Sequence, residues 1–81
     1  MTPRPLPSLR PGQTATVVRV ASADPSRVVR LTSLGVMPGA RVTFVQRHPA
    51  VVLRVAETSI ALDVEVAADI LVDDAAAGSG A

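Results

Sequence analysis

Phe44 is the only aromatic side chain in a chain of 81 residues, yet 48% of those residues are hydrophobic. Any core must therefore be aliphatic, with no large ring apart from that one to fill space. A small all-β barrel suits such a core. The length provides for one small domain; it is too short for two separate cores or for an enzyme with a deep cleft.

Cysteine is absent, which removes disulfides, thiolate nucleophiles and zinc-thiolate clusters and suits a reducing cytoplasm. The opening "MTPRPLPSLRPG" holds four prolines and no apolar signal region, and no later stretch reaches the roughly 18 uninterrupted apolar residues of a membrane span. A cytoplasmic protein with no membrane insertion of its own is expected. All eight basic residues are arginine, set against seven acids for a net charge of +1, so no polybasic surface is indicated. Without stacking aromatics or excess positive charge, nucleic acid is not an expected partner.

Leu6 and Leu9 stand in the proline-rich start, which reads as a loop or single turn pinning both leucines onto the core. Thr14 to Val20 is β-branched and reads as a strand. Its alternation is broken: Ala15 and Val17 share one face while Val18 and Val20 share the other, and a bulge near Val18 and Arg19 would return Val20 to the core. "ADPSRVVRLTSLG" carries helix punctuation, with Asp24 as N-cap, Pro25 at the first helical position and Gly35 past the end. Val28, Leu31 and Leu34 form its expected inward stripe.

A turn at Pro38 and Gly39 starts the next strand, with Ala40, Val42 and Phe44 on one face. Val51 to Val55 and Ser59 to Leu62 read as strands joined by a tight turn, with Val51, Leu53, Val55, Ile60 and Leu62 inward. Asp63 is placed to cap one helical turn before a last strand in which Ile70 and Val72 face inward. Residues 75–81, "AAAGSGA", have nothing to bury and are expected to be a disordered tail after a single domain over residues 1–74. The fold expected is mainly β: a small barrel of about five short strands with one or two short helices.

The order "LRPGQTATVVRV", "RLTSLGVMPGARVTFV", "VVLRVAETSIALDVEVAADILV" resembles the FeoA family of bacterial ferrous iron transport proteins, from about Leu6 to Asp73. The strongest piece is the Leu-x-x-Leu-Gly-apolar-x-Pro-Gly run at Leu31, Leu34, Gly35, Val36, Pro38 and Gly39. The resemblance implies a Src-homology-3-like (SH3-like) barrel and a cytoplasmic accessory role beside FeoB, the GTPase-coupled membrane transporter for Fe(II). The same barrel occurs at the C-terminus of DtxR-type metal-dependent repressors. A stand-alone metal-responsive module, dimeric through an open sheet edge, is therefore the alternative. The chain departs from the family pattern in three places: Glu57 stands where the hairpin usually has glycine, "HPA" is a short loop, and Asp63 stands where arginine is common.

Catalysis finds no support. His48 is the only histidine, no two carboxylates have diagnostic spacing, and a phosphate-binding loop needs a lysine that the chain lacks. The expectation is a protein that is not an enzyme and needs no cofactor. His48 is the one metal-ligand candidate, and its plainer reading is a loop residue before Pro49. The expected partner-binding surface joins the helix to its exit loop: Arg27, Arg30, Val36 and Met37, with Arg41 beside them. Of Val36 and Met37, Met37 is expected to be the one left outside.

Overall fold

Short β-branched runs separated by proline and glycine form a single antiparallel sheet in a computed structural model of the chain, which describes residues 3–73. In chain order the elements are β1 (Arg4–Pro5), a 3-10 turn (Leu6–Ser8), β2 (Thr14–Val20), α1 (Pro25–Ser33), β3 (Arg41–Gln46), β4 (Val51–Val55), β5 (Thr58–Leu62), α2 (Val64–Ala68) and β6 (Ile70–Asp73). The six strands lie in the order β1-β6-β2-β3-β4-β5, with β1 and β5 at the edges. The mainly β class is as expected. The tail expected over 75–81 lies outside the described residues.

A sixth strand is the first difference. Arg4 and Pro5 pair with Val72 and Leu71, where the sequence suggests a loop. Two residues show no periodicity, and an edge is where a strand tolerates proline. The bulge expected in β2 is present: Val17 opposes Val72 and Arg19 opposes Leu71, so Val18 is skipped and left 38% exposed. Val20 then pairs with Ile70 and packs against the core. A second shift falls between Phe44 and Gln46 in β3, opposite β4.

One face of the sheet wraps the core. Ala15 and Val17 of β2, Val42 and Phe44 of β3, Val51 and Leu53 of β4, Ile60 of β5, and Ile70 and Val72 of β6 are all buried. Leu6 and Leu9, both at 0% exposure, close one end, and Ala67 of α2 packs beside them. Burying a leucine side chain stabilises by about 1.5–3 kcal/mol, so this pair matters to a core with one aromatic ring.

Arg47 holds the leucines in place. Its Nε donates to the Pro7 carbonyl at 3.1 Å, and its Nη2 donates to Pro7 at 2.9 Å and to Leu9 at 2.6 Å. The guanidinium carbon stands 5.1 Å from the centroid of the Phe44 ring. Alternation along β3 suggests that Arg47 faces outward with the other arginines. The β3 irregularity after Phe44 precedes it, and the side chain turns back over the ring.

The exit from α1 corrects the expected stripe. Leu31 is buried and Val28 half-buried, but Leu34 is 40% exposed. Steps of three residues drift by about 60° around a helix with 3.6 residues per turn, and Leu34 is already the C-cap. Gly35, at φ +95°, donates its N–H to the Thr32 carbonyl at 3.0 Å, and Val36 donates to Leu31 at 2.9 Å. This is the paired-bond glycine cap, in which the residue after glycine packs back on the helix. The positive φ is what favours glycine here, and a Cβ would in addition crowd Val55 Cγ1 at 3.1 Å.

The β4–β5 hairpin closes on Val55 and Thr58, leaving Ala56 and Glu57 as its two-residue turn. Glu57 is where the family pattern has glycine, but the positive φ, 55°, falls on Ala56.

Two stability measurements test this account. Arg47→Ala should lower unfolding free energy by about 2–3 kcal/mol in urea, because two carbonyls lose their donors, and Arg47→Lys should recover only part of that loss. Ala56→Gly should instead stabilise by about 0.5–1 kcal/mol, relief of the left-handed strain outweighing the added chain entropy; an unchanged or lower midpoint would contradict the turn assignment.

Candidate functional site

Two adjoining depressions run along one side of the molecule. The first, about 500 Å³, lies between α1 and the β5–α2 corner and is lined by Asp24, Ser26, Arg27, Arg30 and Leu31 on one wall. Ala50, Ala61, Leu62, Asp63 and Val66 form the other. The second, about 440 Å³, is lined by Arg47, His48, Pro49, Val51, Val64 and Glu65 and shares Ala50 and Asp63 with the first. The floor of the first cleft is aliphatic and its rim is charged with both signs.

Helix α1 supplies that rim because of how it starts. The Asp24 carboxylate accepts the Ser26 N–H at 3.0 Å and the Ser26 hydroxyl at 2.7 Å, as an N-cap should. The cap sets the helix phase, with Leu31 turned into the core and Arg30 out to solvent. Arg27 reaches Asp69, at the joint between α2 and β6, with 3.7 Å between Nη1 and Oδ2. Both side chains are about a third exposed, so this ion pair contributes well under 1 kcal/mol. Arg30 is exposed and has no ion pair among the described residues.

The residues expected to form one partner surface divide into two groups. Arg27 and Arg30 are brought together in the cleft. Met37 belongs to the turn after α1, where it is 38% exposed and its carbonyl accepts the Ala40 N–H at 3.0 Å; Arg41, also exposed, opens β3. Val36 does not reach the surface: it is fully buried, drawn in by its hydrogen bond to Leu31. The loop hides one apolar residue and leaves Met37 out.

Leu34 takes the outside place that sequence reasoning gives to Val36. The signal lies in Gly35: a glycine after the helix makes the preceding residue the cap and sends the following one inward. Val18 and Val29 are further exposed apolar side chains, at 38% and 66%.

His48 is exposed and lines the second depression with Asp63 and Glu65. Among the described residues no group of three or more His, Cys, Asp or Glu is placed to hold a metal ion. Asp63 precedes α2 as expected, but its side chain makes no capping bond; its carbonyl accepts the Ala67 N–H at 3.0 Å. Among the described residues no helix is long and apolar enough to cross a membrane.

The hydroxyl and N–H of Ser26, with a smaller contribution from the Arg27 charge, hold the Asp24 carboxyl below the ordinary aspartate range. A carboxyl whose pKa falls on folding adds stability above its unfolded pKa and loses it as pH drops through the folded one. The stability difference between the parent protein and Asp24→Asn should therefore be full near neutrality and shrink below about pH 4. A difference that stays constant down to about pH 2 in acid titrations followed by circular dichroism would show that the cap's charge plays no part.

Comparison with known proteins fits this geometry. No curated protein sequence matches the chain. Among solved structures, zinc-complexed FeoA of Stenotrophomonas maltophilia, described as an SH3 domain protein and a candidate ferrous iron transport activating factor, is 26% identical with a TM-score of 0.75. The alignment covers 90% of this chain and 91% of that one. FeoA of Chlorobium tepidum superposes with a TM-score of 0.80 at 24% identity, over 88% of this chain and 70% of that one. A longer protein is also similar: IdeR of T. acidophilum has a TM-score of 0.83 at 23% identity, covering 91% of this chain but 35% of that one. The fold is therefore the SH3-like one found alone in FeoA proteins and as part of longer repressors. The FeoA domain model matches residues 4–74, almost the whole chain, and the protein belongs to the FeoA family.

Proposed function

We propose that the protein is a non-enzymatic, cytoplasmic accessory factor of bacterial ferrous iron uptake that docks on a FeoB-like membrane GTPase transporter and modulates Fe(II) transport. The observation that carries this reading is the FeoA family match over residues 4–74. Similarity to the Stenotrophomonas protein, itself a candidate activating factor of ferrous iron transport, supports it. The docking surface combines Arg30 with the turn after α1, where Leu34 and Met37 are exposed, and Arg27 and Arg41 flank it. A few apolar anchors inside a charged rim are what protein docking requires, and a flexible thioether adapts to a partner. Val36 contributes by positioning the turn from within.

The likeness to repressor C-terminal domains supports a second reading, a metal-responsive regulatory module that pairs with a second copy. Calorimetric titration with Fe(II) or Mn(II) separates the two: tight binding lost in His48→Ala favours the module.

For the docking reading, pull-down with the cognate transporter should lose about tenfold in affinity in a Met37→Asp, Arg30→Glu double variant whose melting curve is unchanged. Retained binding removes this surface.

A further inference from the structure

Among the described residues β5 ends the sheet and nothing pairs with its outer edge. Its one strand neighbour is β4, and among the described residues no backbone hydrogen bond outside the ladders involves it. Register identifies the idle groups. A two-residue hairpin closing on Val55 and Thr58 makes that pair the hydrogen-bonded one, and alternation then bonds Leu53 with Ile60 and Val51 with Leu62. Ser59 and Ala61 are left with N–H and C=O directed away from β4, and both residues are exposed.

The two edges differ in their protection. β1 is two residues long and consists of an arginine and a proline, which deter pairing. β5, Thr-Ser-Ile-Ala-Leu, has no charge, no proline and no register shift against β4. The C-terminal end of that edge also opens into a built space, since Ala61 and Leu62 form part of one wall of the 500 Å³ cleft and α1 forms the other. A single extended segment fits between a strand edge and a helix. The edge of a second barrel would bring its own α1 into that space.

Charge selects among segments. On the α1 wall, Asp24 is engaged by Ser26 and Arg27 pairs weakly with Asp69, while the Arg30 guanidinium has no ion pair among the described residues. Asp63 lies at the other end, where the second depression begins. We propose that β5 receives an extended peptide of a partner protein by strand addition, its backbone bonding Ser59 and Ala61 and an acidic side chain meeting Arg30. The inference adds the β5 edge to the docking reading, with Arg30 common to both, and its test needs no transporter, so the two fail separately.

The probe is an end-capped peptide of alternating valine and glutamate, titrated into the full chain and followed by amide NMR and hydrogen exchange. Binding should slow exchange at Ser59 and Ala61 and weaken by about tenfold or more in Arg30→Glu. A lysine-for-glutamate peptide should not bind, and N-methylation of alternate peptide amides should abolish binding. Ala61→Pro, which removes a donor facing off the sheet, should keep the melting curve and lose the peptide. Three results would overturn the proposal: no binding, binding indifferent to N-methylation, or exchange protection at Ser59 and Ala61 that rises with protein concentration alone, which would mean that a second copy occupies the edge.

Discussion

Three hydrogen bonds from Arg47 to the carbonyls of Pro7 and Leu9 carry a disproportionate share of this fold. A sheet with one apolar face needs a cover, and here the cover at one end is the segment bearing Leu6 and Leu9. That segment is proline-rich and short of backbone donors, so it cannot secure itself by a long ladder; it has two ladder pairs with β6 and one 3-10 turn. A guanidinium with several donors supplies the missing partners, and its seat against Phe44 links the one aromatic ring to the chain start.

The exit of α1 determines what the molecule presents outward. The positive φ of Gly35 lets Val36 turn back onto Leu31, which buries one apolar residue and exposes Leu34 and Met37. Backbone geometry and surface chemistry are thus set by the same turn. At the other end of the helix, the Asp24 cap fixes the phase that places Arg27 and Arg30 over the cleft facing β5. One short helix, too short to persist alone in water, serves two surfaces because it is locked at both ends.

Local patterns are legible where one rule acts without competition. β2, β4 and β6, the Asp24 cap and the bulge beside Val18 follow from β-branched runs, cap chemistry and a broken alternation. The family is legible too, since the Leu31 to Gly39 run fixes helix end and strand start within a few residues. The candidate surface is legible only in part: residue types suited to docking can be picked out, but Val36 is misplaced because the cap bond that buries it joins residues 31 and 36. Arg47 is misread for a related reason, as an irregularity in β3 reverses the side expected from strict alternation.

By itself, then, the sequence determined an aliphatic β domain of FeoA type, with five of its six described strands, the helix α1 and the glycine that ends it. Tertiary structure decided which arginine is structural and which is free. Arg47 and Arg30 have the same chemistry, and only the folded chain brings the Pro7 and Leu9 carbonyls within 3.1 Å of the former while leaving the latter exposed without an ion pair among the described residues, on the wall of a cleft. The strand order, and with it the exposed edge of β5, was likewise decided by long-range pairing. No local pattern encodes it, because hydrogen bonds between strands distant in sequence depend on how the whole sheet curls around its core.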